Sequence, residues 1–234
     1  MLSHPNAAIA GDFKRQRMPG SLPVFDTVLE TLIGWMAPAT ALDVGTGSGK
    51  FGHMLQRAAP GCDRSGIEIE ASYIERFALR ELYPTLHHAD VSRWWRETES
   101  TYDLVLMGDC IEHLPKSEGL DLLNALIYRC AWLVLLVPEF IVQGAVGDMP
   151  SERHVSVWSE RDLHWHDLWA WDNCRAMGMM VLRGYLPSTL SLAELVQRCN
   201  AGVLPVHDFD GLTLVRPARL RLVEHAREVS YRRA

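Results

Sequence analysis

The sequence predicts an α/β fold with a mostly parallel central sheet flanked by helices. Three observations carry that expectation. Short apolar runs alternate with segments of helical period over residues 23–137, and strands alternating with helices imply right-handed crossovers and a largely parallel sheet. A turn rich in glycine, Gly45-Thr46-Gly47-Ser48-Gly49, follows the first apolar run. Acids stand at or just past the ends of the next two runs, at Glu68 and Asp90.

Pro23 to Ala37 has apolar residues at 24, 25, 28, 29, 32, 33 and 36, a helical period. Ala41–Val44 reads as the first strand. Lys50–Ala59 reads as a helix, stopped by Pro60-Gly61. Arg64–Ile69 is a second strand, and Ala71–Leu82 is its helix, ended by Pro84. Thr85–Ala89 is a short third strand and Tyr102–Met107 a strongly apolar fourth. Glu118–Cys130 reads as a helix and Trp132–Val137 as a fifth strand. Beyond Pro138 the alternation weakens, and Phe140–Val155 reads as a long loop. Ser159-x-x-Asp162 resembles a capping box and predicts a helix over 160–171. Met179–Tyr185 reads as a strand, Ser191–Cys199 as a helix and Leu212–Val215 as the last strand.

The chain's 234 residues fit one domain, and a hydrophobic share of 48% can fill a substantial core. The net charge of −6 argues against a long polyanion as ligand, because nucleic-acid binding depends on neutralising phosphates with Lys and Arg. Five cysteines, at 62, 110, 130, 174 and 199, are odd in number, widely spaced and without a C-x-x-C pair. That disfavours a disulfide framework and a Cys-rich zinc site. They read as reduced thiols packing as small apolar groups in a cytoplasmic protein. No apolar run reaches the length of a membrane span. The start, Met1-Leu2-Ser3-His4-Pro5, lacks the charged and apolar blocks of a signal peptide.

A glycine-rich turn between a strand and a helix lets a ligand approach the backbone closely. The helix start adds unpaired N–H groups and a positive dipole end. Here Gly45, Gly47 and Gly49 alternate, with Asp43 two residues before the first. The dinucleotide fingerprint G-x-G-x-x-G/A would place its third glycine one position later. A phosphate P-loop would need glycine at 44 and Ser or Thr at 51, where Val44 and Phe51 stand. The turn closely resembles motif I of the class I S-adenosylmethionine (SAM)-dependent methyltransferases. Tyr102-Asp103-Leu104-Val105, continued by Ile111-Glu112-His113-Leu114, resembles a segment of the small-molecule and glycan-pathway members of that class, ubiquinone-pathway O-methyltransferases among them. The resemblance covers roughly residues 40–165 and includes Leu136-Val137-Pro138 and Glu152-Arg153-His154.

That resemblance implies a Rossmann-like fold, SAM as cofactor and S-adenosylhomocysteine (SAH) as product. It places Asp43, Gly45, Gly47 and Gly49 at the methionine end. Glu68, with Ile69, would bind ribose, since an acid at the end of the second strand can accept from both ribose hydroxyls. Asp90 and Val91 would hold adenine, and Met107, Gly108 and Asp109 would line the methyl end. Composition and periodicity, with the resemblance for the middle, divide the chain into a flexible N-terminal arm (1–20), polar and rich in breakers, a SAM-binding domain (21–215) whose acceptor elements fall mainly in 138–200, and an Arg-rich tail (216–234). The tail has six arginines and two glutamates and reads as a solvated helix face or an interaction surface.

The chemistry implied is methyl transfer to a hydroxyl, or an amine, of a small metabolite or a sugar-containing intermediate. A hydroxyl nucleophile needs a base, and His113 and His154 are the candidates. Asp109, Glu112, His113 and His154 could instead bind a divalent metal, since mixed O and N ligands suit such an ion. That set resembles the E-x-x-E-H plus His site of small-RNA 2′-O-methyltransferases, with Asp109 in place of the first Glu. His164, Trp165, His166, Trp169 and Trp171 could wall the acceptor or face the core. Two other arrangements stay open: a metal-dependent RNA 2′-O-methyltransferase, which the acidic charge opposes, and a non-catalytic SAM-binding subunit of a partner. A homodimer is compatible with the sequence.

Overall fold

The computed structural model describes residues 21–146 and 149–232. The expected arm over 1–20 lies outside them. Helix α1 (Asp26–Met36) follows a single 3-10 turn, Pro23–Phe25, and buries Val28, Leu29, Leu32, Ile33 and Met36, the stripe its period predicts. Then come β1 (Thr40–Val44), α2 (Lys50–Ala58), β2 (Asp63–Glu68), α3 (Ala71–Arg76), α4 (Leu79–Leu82) and β3 (Thr85–His88). A short helix α5 (Val91–Trp94), which no sequence signal marked, leads to β4 (Tyr102–Gly108), α6 (Lys116–Ile127) and β5 (Cys130–Pro138). The second half contributes β6 (Leu168–Cys174), β7 (Met177–Arg183), α7 (Leu192–Ala201), β8 (Pro205–His207), β9 (Leu214–Pro217) and β10 (Arg221–Glu224).

The main sheet has eight strands in the order β10-β6-β7-β5-β4-β1-β2-β3. The run from β3 to β5 is parallel, and β7 lies antiparallel to both β5 and β6. All nine residues of β5 are buried, as a central strand covered on both faces requires. Strand β1 sits between β2 and β4, so the chain runs to one side first and to the other later. That reversal opens a crevice at the carboxyl ends of the strands, where open α/β sheets bind ligands. Among the described residues, no helix is long and apolar enough to cross a membrane.

Four local expectations are corrected. The single helix over 71–82 is broken at Ala78, whose φ is 49°. The break lets Leu82 and Tyr83 pack onto the glycine turn, with Leu82 Cδ2 2.8 Å from where a Cβ on Gly49 would lie. The helix expected over 118–130 ends at Ile127, and Cys130 opens β5. The capping box at Ser159 and Asp162 is present but caps only a 3-10 turn, Glu160–Leu163. The chain then straightens into β6, paired with β7 on one edge and β10 on the other. Two ladders outcompete a helix whose nucleus is costly, and Trp169 goes into the core at 1% exposure. The Arg-rich tail is no helix face either. Arg216 belongs to β9 and grips Asp172 with two bonds of 2.7 and 3.0 Å, while β10 extends the main sheet with Arg221 over the Trp171 ring.

Candidate active site

The crevice holds a cleft of about 520 Å³, walled by the glycine turn, the ends of β2 and β4, and the segment after β5. Gly45 and Gly47 have φ of 73° and 51°, the left-handed region that glycine adopts freely. A Cβ on Gly45 would also lie 2.7 Å from Cys110 Sγ. The amides of Gly45 and Thr46 both donate to Ile67 O, at 2.9 and 3.1 Å, which ties the turn to β2.

Glu68 is the hub of this wall. Its Oε2 accepts from Gly47 N at 2.8 Å and from Thr46 Oγ1 at 3.2 Å. Its Oε1 accepts from Glu70 N at 2.9 Å. Burial pushes its carboxyl up, and these bonds to the charged form oppose that shift. Beneath the turn, Asp43 is fully buried and accepts from the Tyr83 hydroxyl. Burial raises its carboxyl to about 7, with the Tyr83 bond opposing and the Glu68 charge adding to the rise.

The raised value has a consequence for stability. An unfolded Asp titrates near ~3.9, so the folded chain holds this proton over a range where the unfolded chain has lost it. The associated stability is full below about pH 4 and is lost as pH rises through about 7. Asp43→Asn retains an acceptor for Tyr83 but never ionises. Urea unfolding at pH 5 and pH 8 should show the parent losing a few kcal/mol relative to the variant. Equal losses in the two proteins would exclude Asp43 as the titrating group.

Gly45, Gly47, Glu68, Ile69, Asp90, Val91, Gly108, Asp109, Glu112, His113 and His154 all line the cleft. Asp43, Gly49 and Met107 stand behind its wall: Gly49 starts α2 in a left-handed conformation and Met107 is 1% exposed. Asp90 Oδ1 caps α5 by accepting from Ser92 N at 2.9 Å. Asp109 has φ 46°, and its Oδ2 accepts from Leu22 N at 3.1 Å.

At the far end of the cleft, Glu112, His113 and His154 converge. One ligand atom from each lies within 4.8 Å of the others, and Asp109 is outside the group. His113 Nδ1 meets Arg153 O at 3.0 Å and His154 Nδ1 meets Ile141 O at 2.9 Å. A carbonyl only accepts, so each Nδ1 carries the hydrogen and the neutral ring keeps its lone pair on Nε2. His154 Nε2 is 3.9 Å from Glu112 Oε1. Glu112 is 1% exposed, and neither carboxylate oxygen has a hydrogen-bond partner. Burial drives its carboxyl well up, and the Asp109 charge adds to that.

Sequence reasoning missed the far wall. Tyr73 Oη donates to Glu152 Oε1 at 3.0 Å, and Ser151 donates to Glu70. These bonds draw the segment after β5 across to α3. Their partners are 79 and 81 residues apart, beyond any local pattern. Lys50 was read only as a helix start. It donates to Ser21 O at 3.0 Å and pairs with Asp26 at 2.5 Å, seating the entry to α1 beside the cleft.

Strand order, switch-point cleft and glycine turn together define the class I methyltransferase fold. Residues 41–130 match a family model described as a methyltransferase domain. Three solved structures share the fold. The N-methyltransferase NodS from Bradyrhizobium japonicum WM9, in complex with SAH, is 15% identical, with 68% of this chain and 84% of that one covered and a TM-score of 0.50. The N-terminal domain of EvdMO1 with SAH bound is 16% identical, covering 71% and 82%, with a TM-score of 0.52. That domain has also been crystallised in the presence of SAH and D-fucose. The methyltransferase domain of bacterial CtHen1-C is 14% identical, covering 69% and 97%, with a TM-score of 0.50. At these identities the likeness is one of fold. No curated protein matches the chain.

Proposed function

We propose that the cleft holds SAM and passes its methyl to a hydroxyl of a small metabolite or sugar-containing intermediate. The glycine turn, shaped from behind by Asp43 and Gly49, would face the methionine end. Glu68 and Ile69 would meet ribose. Asp90 and Val91 would border adenine. Gly108 and Asp109, backed by Met107, would border the methyl.

The observation that carries the reading is the backbone carbonyl at Nδ1 of both His113 and His154. Each Nδ1 is engaged by a carbonyl, which leaves Nε2 as the basic atom. In the step, the acceptor oxygen attacks the methyl carbon and the C–S bond breaks. Neutral SAH leaves, and the hydroxyl proton passes to an imidazole Nε2. Positioning supplies much of the rate in such an in-line displacement. A sugar acceptor accords with the carboxylates and imidazoles among the residues lining the cleft and with the crystallisation of the EvdMO1 domain in the presence of D-fucose. NodS, an N-methyltransferase on the same fold, keeps an amine acceptor in view.

A second reading has its own observation. Glu112, His113 and His154 could coordinate a divalent cation, since metal-bound histidines commonly donate their other N–H to a carbonyl. Such a metal would orient an acceptor hydroxyl and lower its pKa. The net charge of −6 and the acids in the cleft oppose RNA as the molecule carrying that hydroxyl.

Calorimetric titration with SAH tests the first step. Binding at micromolar strength or tighter is expected. No binding by a folded chain would overturn the reading. Methyl transfer that persists with a chelator present would favour the histidine base over the metal.

A further inference from the structure

We infer that the acceptor carries a protonated amine beside the hydroxyl that is methylated, and that Glu112 receives that ammonium. The inference rests on the methyltransfer reading above. It identifies the acceptor as a 1,2-amino alcohol, with amino sugars as the common form.

Glu112 carries the argument. A carboxylate with no hydrogen-bond partner on either oxygen, at 1% exposure, is a costly arrangement. None of the described residues supplies that partner. The group lines the cleft, so a ligand can supply one. The surroundings select the sign of that ligand. Asp109, Glu118 and Glu152 line the same cleft; of its cations, Lys50 is paired with Asp26 and Arg76 lies over the Phe77 ring. An anionic acceptor would meet repulsion there, and a neutral polyol could donate hydrogen bonds to Glu112 but would leave its charge unneutralised. An ammonium group offers three donors and a full positive charge.

The spacing then sets the distance between the two functional groups. Glu112 Oε1 and His154 Nε2 are 3.9 Å apart. An ammonium on the carboxylate and a hydroxyl on the imidazole each sit at about 2.8 Å from their protein atom. A ligand that bears the two groups on adjacent carbons can therefore reach both protein atoms at once. On this account the amine is an anchor, and it leaves the step with its proton retained. Only the hydroxyl loses a proton, to the histidine.

The test uses the full chain loaded with SAH and three probes: glucosamine, N-acetylglucosamine and glucose. Calorimetry or ligand-observed NMR should show glucosamine binding at least tenfold more tightly than the other two. Glu112→Gln should remove that preference while SAH affinity stays within about twofold, which shows that the variant is folded. No preference among the three probes in the SAH-loaded parent would overturn the inference and leave the methyltransferase reading intact. Failure of the folded parent to bind SAH would overturn both. Stoichiometric binding of Mg2+ or Mn2+ that Glu112→Gln abolishes would also overturn the inference, because a cation from solution would then be the partner of Glu112.

Discussion

Glu68→Ala is expected to weaken SAH binding by about 30- to 1,000-fold, or ~2–4 kcal/mol. Two losses combine in that figure. The variant removes the acid that would accept from ribose. It also removes the acceptor for Gly47 N, Thr46 Oγ1 and Glu70 N, which holds the glycine turn in its left-handed course. Charge-assisted hydrogen bonds are the strong ones, and an amide left facing the cleft without a partner costs about 1–3 kcal/mol. Glu68→Gln keeps the shape but not the charge, so it should fall between parent and alanine variant. Calorimetric titration with SAH measures the loss, and circular dichroism confirms the fold. An alanine variant that binds SAH like the parent would take Glu68 out of the cofactor site.

His154→Ala should lower kcat by about 10²- to 10⁴-fold, the range that a positioned general base contributes. SAH affinity should stay within about threefold, because the ring stands at the acceptor end of the cleft, with Glu112 and His113. His113→Ala serves as the matched comparison. Its ring packs edge-on to His154 at 5.0 Å between centroids and bonds Arg153 O, so its loss should loosen His154 as well as remove a base. A His154 variant with parental kcat would shift the proton to His113. Parental rates in both variants would leave the hydroxyl without an imidazole base and would favour an acceptor that needs none.

The two predictions differ in how they follow from the primary structure. Glu68 was identifiable because its signal is local: an apolar run ends, an acid follows, and a glycine turn precedes it by a fixed span. The same holds for Asp90 and for the turn itself. His154 rested on family resemblance, since a lone histidine in a loop has no periodicity to mark it. Its orientation depends on Ile141 O, and its distance from Glu112 depends on how the segment after β5 crosses the cleft. Glu112 could be read as an acid near a histidine. That it is buried with no partner could not be read, because burial is a property of the assembled walls.

The first helix, the parallel strands and the helix after the glycine turn followed from sequence, because each buries a regular stripe or run that its own residues define, whereas the break at Ala78 and the helix Val91–Trp94 did not. The sequence likewise marked the glycine turn and the acids Glu68 and Asp90, each by its place after a strand. Tertiary structure decided the rest. It turned the expected helix over 160–171 into β6, because pairing on both edges outweighed a local capping box. It drew the Arg-rich tail into β9 and β10, because Asp172 and the open edge of β6 offered partners that no neighbour in sequence could. It set Asp43 behind the cleft wall, where its carboxyl accepts from the hydroxyl of Tyr83, 40 residues away. Contacts between residues so far apart are set by how packed layers meet, and a local pattern carries no record of them.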